Sequence, residues 1–395
     1  MSILVEVSNQ PFQYFTQMNL SKSIDEISGH CQLTVSEPKD DLSIIQQGDG
    51  VKVFLDGFPS SLFGYSEGVE DTEDDGSHNI SFSVRDSVQD LIDSSVPQAV
   101  RIPTAYTDFS QIIEATLNGL GLGSIGVNNQ RGLLPMPFLN GIPIVKAAEM
   151  GTGAGEYLTE CARVVSVIMN NDGAGNLLLR NFSNLNKLKT MLLWQRDGKN
   201  NNILDGSLNI DWEERYGTIK VWSNGNTTYS QQNPLNGLGV YSGVAMDNEV
   251  RSTRYLEFFA QSPLPSNALC AMRAQEEVNL RRARSFKYVV KVQGFSANGQ
   301  LWDIGQLVRV RDDKRRIYGW FLIKAIQYDY TLAGGSITTM TLTYPDAYGV
   351  SLSVDAANPL DPNSFEAAVT YTPVPASQAW KQGKSINDSI TQTRR

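Results

Sequence analysis

The sequence predicts a β-rich α+β protein that contains two copies of one antiparallel β-unit, an inserted α+β region and an extended C-terminal tail. Many short segments alternate apolar and polar residues with a period of two, which is typical of strands with one buried face. An internal repeat relates residues 32–84 to residues 287–343. After residue 350, Pro, Ser, Thr, Asn and Gln replace periodic apolar residues, which predicts a segment without a core of its own.

The internal repeat is the more informative observation. Each copy runs from an alternating strand to an aliphatic residue, a glycine turn, a second alternating strand and an aromatic–glycine pair. Because a duplicated β-unit without an evident active site is typical of a symmetric building block, we expect the function to lie in assembly. The aligned residues are Ile45, Gly48, Val51, Val53, Phe63 and Gly64 in the first copy and Ile304, Gly305, Val308, Val310, Tyr318 and Gly319 in the second.

Helix and turn signals divide the rest of the chain. Asp108 is a candidate N-cap for a helix that begins at Phe109, and a second helix is predicted over 267–284 after two prolines. An Asn-Asp-Gly-Ala-Gly turn between apolar runs predicts a hairpin near residue 172. We therefore expect a first β-unit, an antiparallel sheet or barrel, at 1–97, an inserted α+β domain at 98–203, strands joining the second β-unit at 204–224, a loop and helix completing the inserted region at 225–284, the second β-unit, again a sheet or barrel, at 285–350 and a partner-binding tail at 351–395.

Composition limits the class of protein. A chain of 395 residues is longer than a single hydrophobic core usually organises, so two to four domains are expected. No run approaches the ~20 apolar residues of a membrane helix, and no signal peptide is evident. Cys31, Cys161 and Cys270 are expected to be reduced, small apolar residues.

Charge is distributed unevenly along the chain. Residues 1–100 hold 17 acidic and 4 basic side chains, whereas residues 270–330 hold 12 basic and 6 acidic ones. Two interpretations stay open: the charges provide solubility, or copies of the chain meet acidic face to basic face in a ring.

Residues that carry chemistry are sparse. The two histidines, His30 and His78, lie in predicted strands, and no nucleophile, phosphate-loop or metal motif is present. Asp71 begins a pattern like that of a calcium loop, but its twelfth position is Phe82, where a bidentate glutamate is required. We predict no catalytic residue, no cofactor and no metal, and a protein that is not an enzyme.

Several segments, in their order and spacing, carry a family resemblance. They are SIDEISGHCQLTV at 23–35, SVRDSVQDLIDSS at 83–95, EYLTECARVVSVIMNNDGAGNLLLRNF at 156–182 and AMRAQEEVNLRRARSFKYVVKVQGFSANGQLWDIGQLVRVRDD at 271–313. Together they resemble the central baseplate hub protein of contractile-tailed bacteriophages, of the Mu type.

The resemblance implies two tail-tube-like antiparallel β-barrels in each subunit and a homotrimer with pseudo-sixfold symmetry. Such a trimer joins a trimeric cell-puncturing spike to a hexameric tail tube, surrounds the end of the tape-measure protein and forms part of the DNA ejection channel. Wedge or other baseplate proteins are further candidate partners, and DNA is met only in transit. The implied location is the tail baseplate of the virion, after assembly in the cytoplasm of the bacterial host.

Two groups of residues are candidates for these roles. An acidic hairpin is expected to face the lumen and keep DNA from sticking, and apolar residues of the tail are expected to bind a partner. Two alternatives stay open: a glycan-binding or peptidoglycan-hydrolysing tail component, and the hub of a phage-like secretion system. The candidates are Asp71, Glu73, Asp74 and Asp75 in the hairpin, and Phe365, Tyr371, Trp380 and Ile386 in the tail.

Overall fold

Strands dominate the computed structural model, and four α-helices accompany them among the residues that the structure describes. The described residues are 2–12, 15–36, 45–74, 77–101, 106–136, 138–139, 142–143, 147–165, 167–180, 186–224, 238–260, 264 and 266–348. The predicted tail at 351–395 lies outside them.

The elements follow one another in three runs. The first contains β1 (Ile3–Val7), β2 (Gln10–Phe12), β3 (Gln17–Ser23), β4 (His30–Ser36), β5 (Gly50–Leu55), β6 (Leu62–Asp74), β7 (Ser77–Asp86) and α1 (Gln89–Asp93). The second contains a 3-10 turn (Gln98–Val100), α2 (Phe109–Gly119), β8 (Val127–Asn129), β9 (Phe138–Leu139), β10 (Ile142–Pro143), α3 (Ala154–Val164), β11 (Ile168–Asn171) and β12 (Leu177–Arg180). The third contains β13 (Lys187–Trp194), β14 (Ile203–Ile210), β15 (Thr218–Asn224), β16 (Leu238–Met246), β17 (Tyr255–Phe259), α4 (Asn267–Arg284), β18 (Phe286–Gln293), β19 (Ser296–Ala297), β20 (Gln300–Leu301), β21 (Leu307–Asp312), β22 (Ile317–Thr331), β23 (Gly335–Thr343) and a 3-10 turn (Pro345–Tyr348).

One 13-stranded sheet contains strands from the N-terminal and the C-terminal parts of the described residues. Its strand order is β14-β18-β23-β22-β3-β4-β7-β6-β5-β1-β2, with β21 beside β22 and β13 beside β21. The antiparallel pair β22–β3 joins strands from the C-terminal and N-terminal parts. The predicted mainly β fold is confirmed.

The same pairing order occurs on both sides of the β22–β3 pair. Strands β3, β4, β7, β6 and β5 follow one another on one side, as β14, β18, β23, β22 and β21 do on the other. Every one of these neighbouring pairs is antiparallel. The duplication of a β-barrel stays a prediction, which this shared order supports.

A matching pair of hydrogen bonds fixes the correspondence between the two sides. The amide of Gly48 donates to the carbonyl of Ser66 at 2.7 Å, and the amide of Gly305 donates to the carbonyl of Ile323 at 2.9 Å. Both glycines have positive φ, 88° and 77°, which favours glycine at this turn. Immediately beyond each bond, β6 and β22 shift register against β7 and β23. The predicted equivalence of these glycines therefore has a structural basis.

The aromatic–glycine pairs do not correspond in the way that the alignment suggested. Val51 lies opposite Gly64, whereas the equivalent Val308 lies opposite Phe321. Gly319 is two residues away from that position and lies opposite Val310. The alignment was wrong here because the turn from β21 to β22 is shorter than the turn from β5 to β6.

Period-two alternation gives the main sheet one apolar and one polar face. On β3, Met18 and Leu20 are buried while the intervening Asn19 is only partly covered. The apolar face contributes to one core, which includes residues from strands on both sides of the β22–β3 pair, such as Leu33, Phe82 and Tyr328. The opposite face carries Asn19, Ser21, Gln32, Thr34, Ser81, Ser83, Lys287, Lys291, Gln327, Asp329, Thr339 and Thr341.

Two smaller cores lie beside the main one. The first packs α2 and α3 against the sheet β11-β12-β8. Its helix α2 begins at a capping box, in which Asp108 accepts from the Ser110 amide and Gln111 reaches back to the cap, so the predicted N-cap is confirmed. The second packs α4 against the sheet β16-β15-β17. No helix among the described residues combines the length and hydropathy needed to cross a bilayer.

Two strands lie in other sheets than their predicted segments suggested. Strand β13 falls within 98–203 but pairs in parallel with β21 in the main sheet. Strand β15 falls within 204–224 but pairs with β16 and β17, whereas β14 alone of that segment joins β18. Both differences have one cause: periodicity shows that a segment is a strand but does not show its partner.

Candidate assembly interface

The second half of β6 has one open edge. Its first half lies between β5 and β7, because β5 pairs with Leu62 through Tyr65. From Gly68 to Asp74 only β7 pairs with it, and no strand among the described residues lies on the other side. An open edge of this length offers unpaired backbone groups to another strand.

Strand β14 provides a second open edge at the end of the sheet. It pairs with β18 on one side and, within the described part of the chain, has no strand on the other. Two of its apolar residues are unusually exposed, Leu204 at 58% and Ile210 at 50%. An exposed apolar edge strand is prone to pair with another chain unless it is covered.

The acidic hairpin between β6 and β7 places its carboxylates on different faces. Asp71 lies opposite Ile80 and Glu73 opposite His78, so both share the face of Val69 and Phe82. Glu70 lies opposite Ser81 on the polar face, and the residue pattern had not singled it out. Asp75 lies outside the described residues, and of Asp74 only the backbone is described, opposite Ser77.

The polar contacts of this hairpin are ordinary surface contacts. His78 Nε2 lies 2.6 Å from Asp71 Oδ1, and both side chains are well exposed. Among the described residues, no group of three or more His, Cys, Asp or Glu side chains could hold a metal ion. The calcium-like pattern therefore builds no cluster of ligands in the part of the hairpin that is described.

The other histidine, His30, is the first residue of β4 and lies on the polar face. Its Nε2 lies 3.0 Å from the Ser83 hydroxyl. Partial burial lowers the pKa of His30, and the positive charge of Arg85 lowers it further. Arg85 itself bridges Glu67 and Asp93 at 2.8 and 2.9 Å. These contacts suit a neutral imidazole that helps to hold β4 to β7.

The sheet β16-β15-β17 presents a third surface that the sequence analysis missed. Helix α4 covers one face, where Gly243 admits the helix: a Cβ there would lie 2.0 Å from the Ala271 nitrogen. The opposite face carries Phe259, exposed at 52% and opposite Trp222, and Met246, exposed at 64% and opposite Thr218. Alternation within β15 was visible in the sequence, but the side chains that join it come from β16 and β17.

The predicted partner-binding residues of the tail cannot be placed on any of these surfaces. Phe365, Tyr371, Trp380 and Ile386 all lie outside the described residues.

Comparison with solved structures shows which proteins share this fold. A prophage MuSo2 43 kDa tail protein from Shewanella oneidensis matches with a TM-score of 0.71 at 21% identity, over 87% of this chain and 98% of that one. The tail protein from Neisseria meningitidis MC58 matches with a TM-score of 0.70 at 17% identity, over 88% and 98% of the two chains. Prophage tail protein gp18 from Listeria monocytogenes EGD-e matches with a TM-score of 0.54 at 10% identity, over 86% and 94%.

Sequence comparison matches only part of the chain. No curated protein sequence matches this chain significantly. Residues 266–351, which contain α4 and the last β-unit, match the family model of the fourth domain of the Mu phage baseplate assembly protein GpP. The predicted resemblance is thereby confirmed: residues 266–351 resemble the fourth domain of a Mu phage baseplate assembly protein, and the chain shares its fold with the prophage tail proteins above.

Proposed function

We propose that this protein is the structural hub of a contractile-tail baseplate. It acts as a homotrimeric adaptor that joins the trimeric cell-puncturing spike to the hexameric tail tube. Its role is structural, since the fold and family matches are to tail and baseplate proteins.

One observation carries the proposal. The chain contains two sets of strands with the same pairing order, joined edge to edge in one sheet through β22 and β3. Three chains would present six such sets, which is what a threefold object needs in order to fit a sixfold one. The open edges of β6 and β14 lie at the outer ends of this pair of sets, where neighbouring chains would meet.

The polar face of the main sheet is the surface that we assign to the lumen. A ring closed through the sheet edges would turn one face inward, and this face carries hydroxyl, amide and charged groups with few apolar residues. Glu70 lies on this face and would repel the phosphates of DNA in transit. Asp71 and Glu73 lie on the opposite face, so their predicted position in the lumen does not agree with this assignment. The same ring would surround the end of the tape-measure protein.

The C-terminal tail is the surface that we assign to the other partners, because the ring would use the strand edges and the polar face of the main sheet. The tail, with Phe365, Tyr371, Trp380 and Ile386, is proposed to bind the spike, the tube or a wedge or other baseplate protein. The protein would assemble in the host cytoplasm and function in the virion.

Native mass measurement tests the adaptor directly. Light scattering of the purified full-length chain is expected to give three times the 43.6 kDa mass of one chain. A monomer at every concentration up to the solubility limit would contradict the proposal.

A second function is favoured by a specific observation, the exposed aromatic face of the sheet β16-β15-β17. Tyr255 and Phe259 are exposed at 49% and 52%, and aromatic faces of this kind stack on sugar rings. A glycan-binding tail component would bind peptidoglycan fragments and lose binding in Phe259→Ala. If native protein shows no binding in titration calorimetry, this candidate is excluded.

A further inference from the structure

The pairing of β22 with β3 shows how one strand set joins the next within the chain. Residues 325–331 of β22 run antiparallel to residues 23–17 of β3. Gln327 lies opposite Ser21 on the polar face, and Ile326 lies opposite Lys22 on the buried face. We call this pairing the within-chain junction.

Shared hydrogen bonding makes β6 the equivalent of β22. The bonds of Gly48 to Ser66 and Gly305 to Ile323 align the two strands. The register shift then moves the pairing to Gly68 in β6 and to Ala325 in β22. Counting onward from these positions, Glu70 is the equivalent of Gln327.

The ladder through the next strands makes β14 the equivalent of β3. Val84 of β7 pairs with Cys31 of β4, which pairs with Leu20 of β3. On the other side, the equivalent strands give the ladder Leu342, Tyr288 and Leu208. Leu208 is therefore the equivalent of Leu20, and Asn209 is the equivalent of Ser21.

Strands β6 and β14 thus correspond to β22 and β3, the two strands of the within-chain junction. Each has an open edge within the described part of the chain, and the two do not pair with each other. We propose that β6 of one copy pairs antiparallel with β14 of a second copy, with Glu70 opposite Asn209. This register rests on the proposed trimer and adds to it the strands and residues through which copies meet. Each copy would then contribute eight consecutive strands to a ring without edges.

Side-chain chemistry agrees with this register where Val69 and Ile210 would meet on the buried face. Val69, which is 43% exposed, would lie opposite Ile210, which is 50% exposed. Within their own chains these residues lie beside the buried Phe82 and Phe286. Pairing would therefore cover two exposed apolar side chains and extend existing apolar rows across the boundary between copies.

The polar face is compatible as well. Glu70 would lie opposite Asn209, whose other neighbour is the exposed Lys287. An acidic residue would thus come within two strands of a basic one, in keeping with the acidic and basic segments of the sequence. The pairing is expected to end at Ser207, because the Gly206 carbonyl already accepts from Arg315.

Disulfide trapping tests the register. The variant Glu70→Cys with Asn209→Cys should form covalent dimers and trimers on mild oxidation, seen on non-reducing gels and removed by reductant. The shifted variant Glu70→Cys with Ser207→Cys should form little, because diagonal partners are about 7–8 Å apart, which is beyond the reach of an unstrained disulfide. The native cysteines are buried and give a low background.

A matched control comes from the within-chain junction. Ser21→Cys with Gln327→Cys occupies the equivalent positions in one chain and should close a disulfide within that chain. The covalent species then stays a monomer, and closure is seen as the loss of two thiols that react with a thiol reagent. If that control closes and the protein is a trimer, but Glu70→Cys with Asn209→Cys forms no covalent oligomer or only as much as the shifted pair, the register is overturned and the trimer survives. A protein that stays monomeric contradicts the proposed function itself.

Discussion

Arg215 and Asp247 form a buried ion pair between two connections of the β16-β15-β17 sheet, with Nη2 2.6 Å from Oδ2 and both side chains less than a tenth exposed. Arg215 also contacts Glu249 at 2.7 Å, and Glu249 accepts from Arg282 of α4 at 3.2 Å. This chain of charges ties the strand connections of the β16-β15-β17 sheet to the helix that covers it.

Removing one partner of this pair should be costly. We expect Asp247→Ala to lower the free energy of unfolding by about 3–5 kcal/mol, because the charge of Arg215 would stay buried without its main partner. Urea denaturation measures the change. As a control, Asp93→Ala removes the exposed partner of Arg85 and should cost no more than about 1 kcal/mol. Equal losses in both variants would contradict this prediction.

Asp86 should make stability depend on pH. Burial raises its pKa to about 7, despite the backbone hydrogen bond from Val88 and the charge of Lys22, which both lower it. The folded state then binds the proton more tightly than the unfolded state does, so the free energy of unfolding should fall as the pH rises from about 4 through about 7.

The Asp86→Asn variant should remove that dependence. It is expected to match the native protein near pH 4 and to be more stable at pH 8 by at most about 4 kcal/mol, since each pKa unit corresponds to about 1.4 kcal/mol. Thermal unfolding across this pH range measures both effects, with the exposed Asp197→Asn as a control. An unchanged pH profile in Asp86→Asn would show that this carboxyl is not responsible.

Gly64 should not tolerate a side chain. A Cβ there would lie 1.8 Å from the Arg85 carbonyl oxygen across the β6–β7 pair. We expect Gly64→Ala to cost about 3 kcal/mol or more, because the strands would have to separate. Gly50→Ala is the matched control in the same region, since its nearest neighbour is the Phe63 ring at 3.7 Å. Comparable unfolding curves for the two variants would refute the close strand contact.

Glu70 is expected to speed DNA passage, because it lies on the polar face of the main sheet, opposite Ser81. Glu70→Gln should slow genome ejection in assembled particles, because an acidic wall repels phosphate. Asp71→Asn with Glu73→Gln changes the opposite face and should leave the ejection rate unchanged, and Glu156→Gln, outside the main sheet, is the control of equal net charge. An unchanged ejection rate in Glu70→Gln would mean that this carboxylate does not act on DNA.

The tail should be needed for partner binding but not for trimer formation. Deleting 351–395 is expected to leave the number of chains in the native particle at three. The deletion should abolish co-purification with the spike, tube or wedge protein that the tail binds. The quadruple substitution of Phe365, Tyr371, Trp380 and Ile386 by Ala should have the same effect if apolar contacts dominate. Retained binding in both variants would assign the partner surface elsewhere.

Sequence reasoning succeeded where the signal is local. The cap at Asp108 and the span of α4 follow from residues a few positions apart, and both are confirmed. The equivalence of Gly48 and Gly305 was also readable, because a turn with positive φ favours glycine.

Sequence reasoning failed where the signal is between distant segments. The parallel pairing of β13 with β21 and the separate sheet around β15 depend on which strand lies beside which, and alternation carries no such information. For the same reason the open edges of β6 and β14 became visible only when the neighbours of each strand were known.

The junction between β22 and β3 has a consequence for synthesis of the protein. Asn19 and Asp329, whose side chains meet across it at 2.6 Å, are separated by 310 residues. While the ribosome is still translating the middle of the gene, the N-terminal strands have been released but their eventual neighbour does not yet exist. Nascent chains would therefore leave the edge of β3 that faces β22 unpaired for most of the elongation time, and we expect closure of the sheet at this junction to be a slow, non-local step.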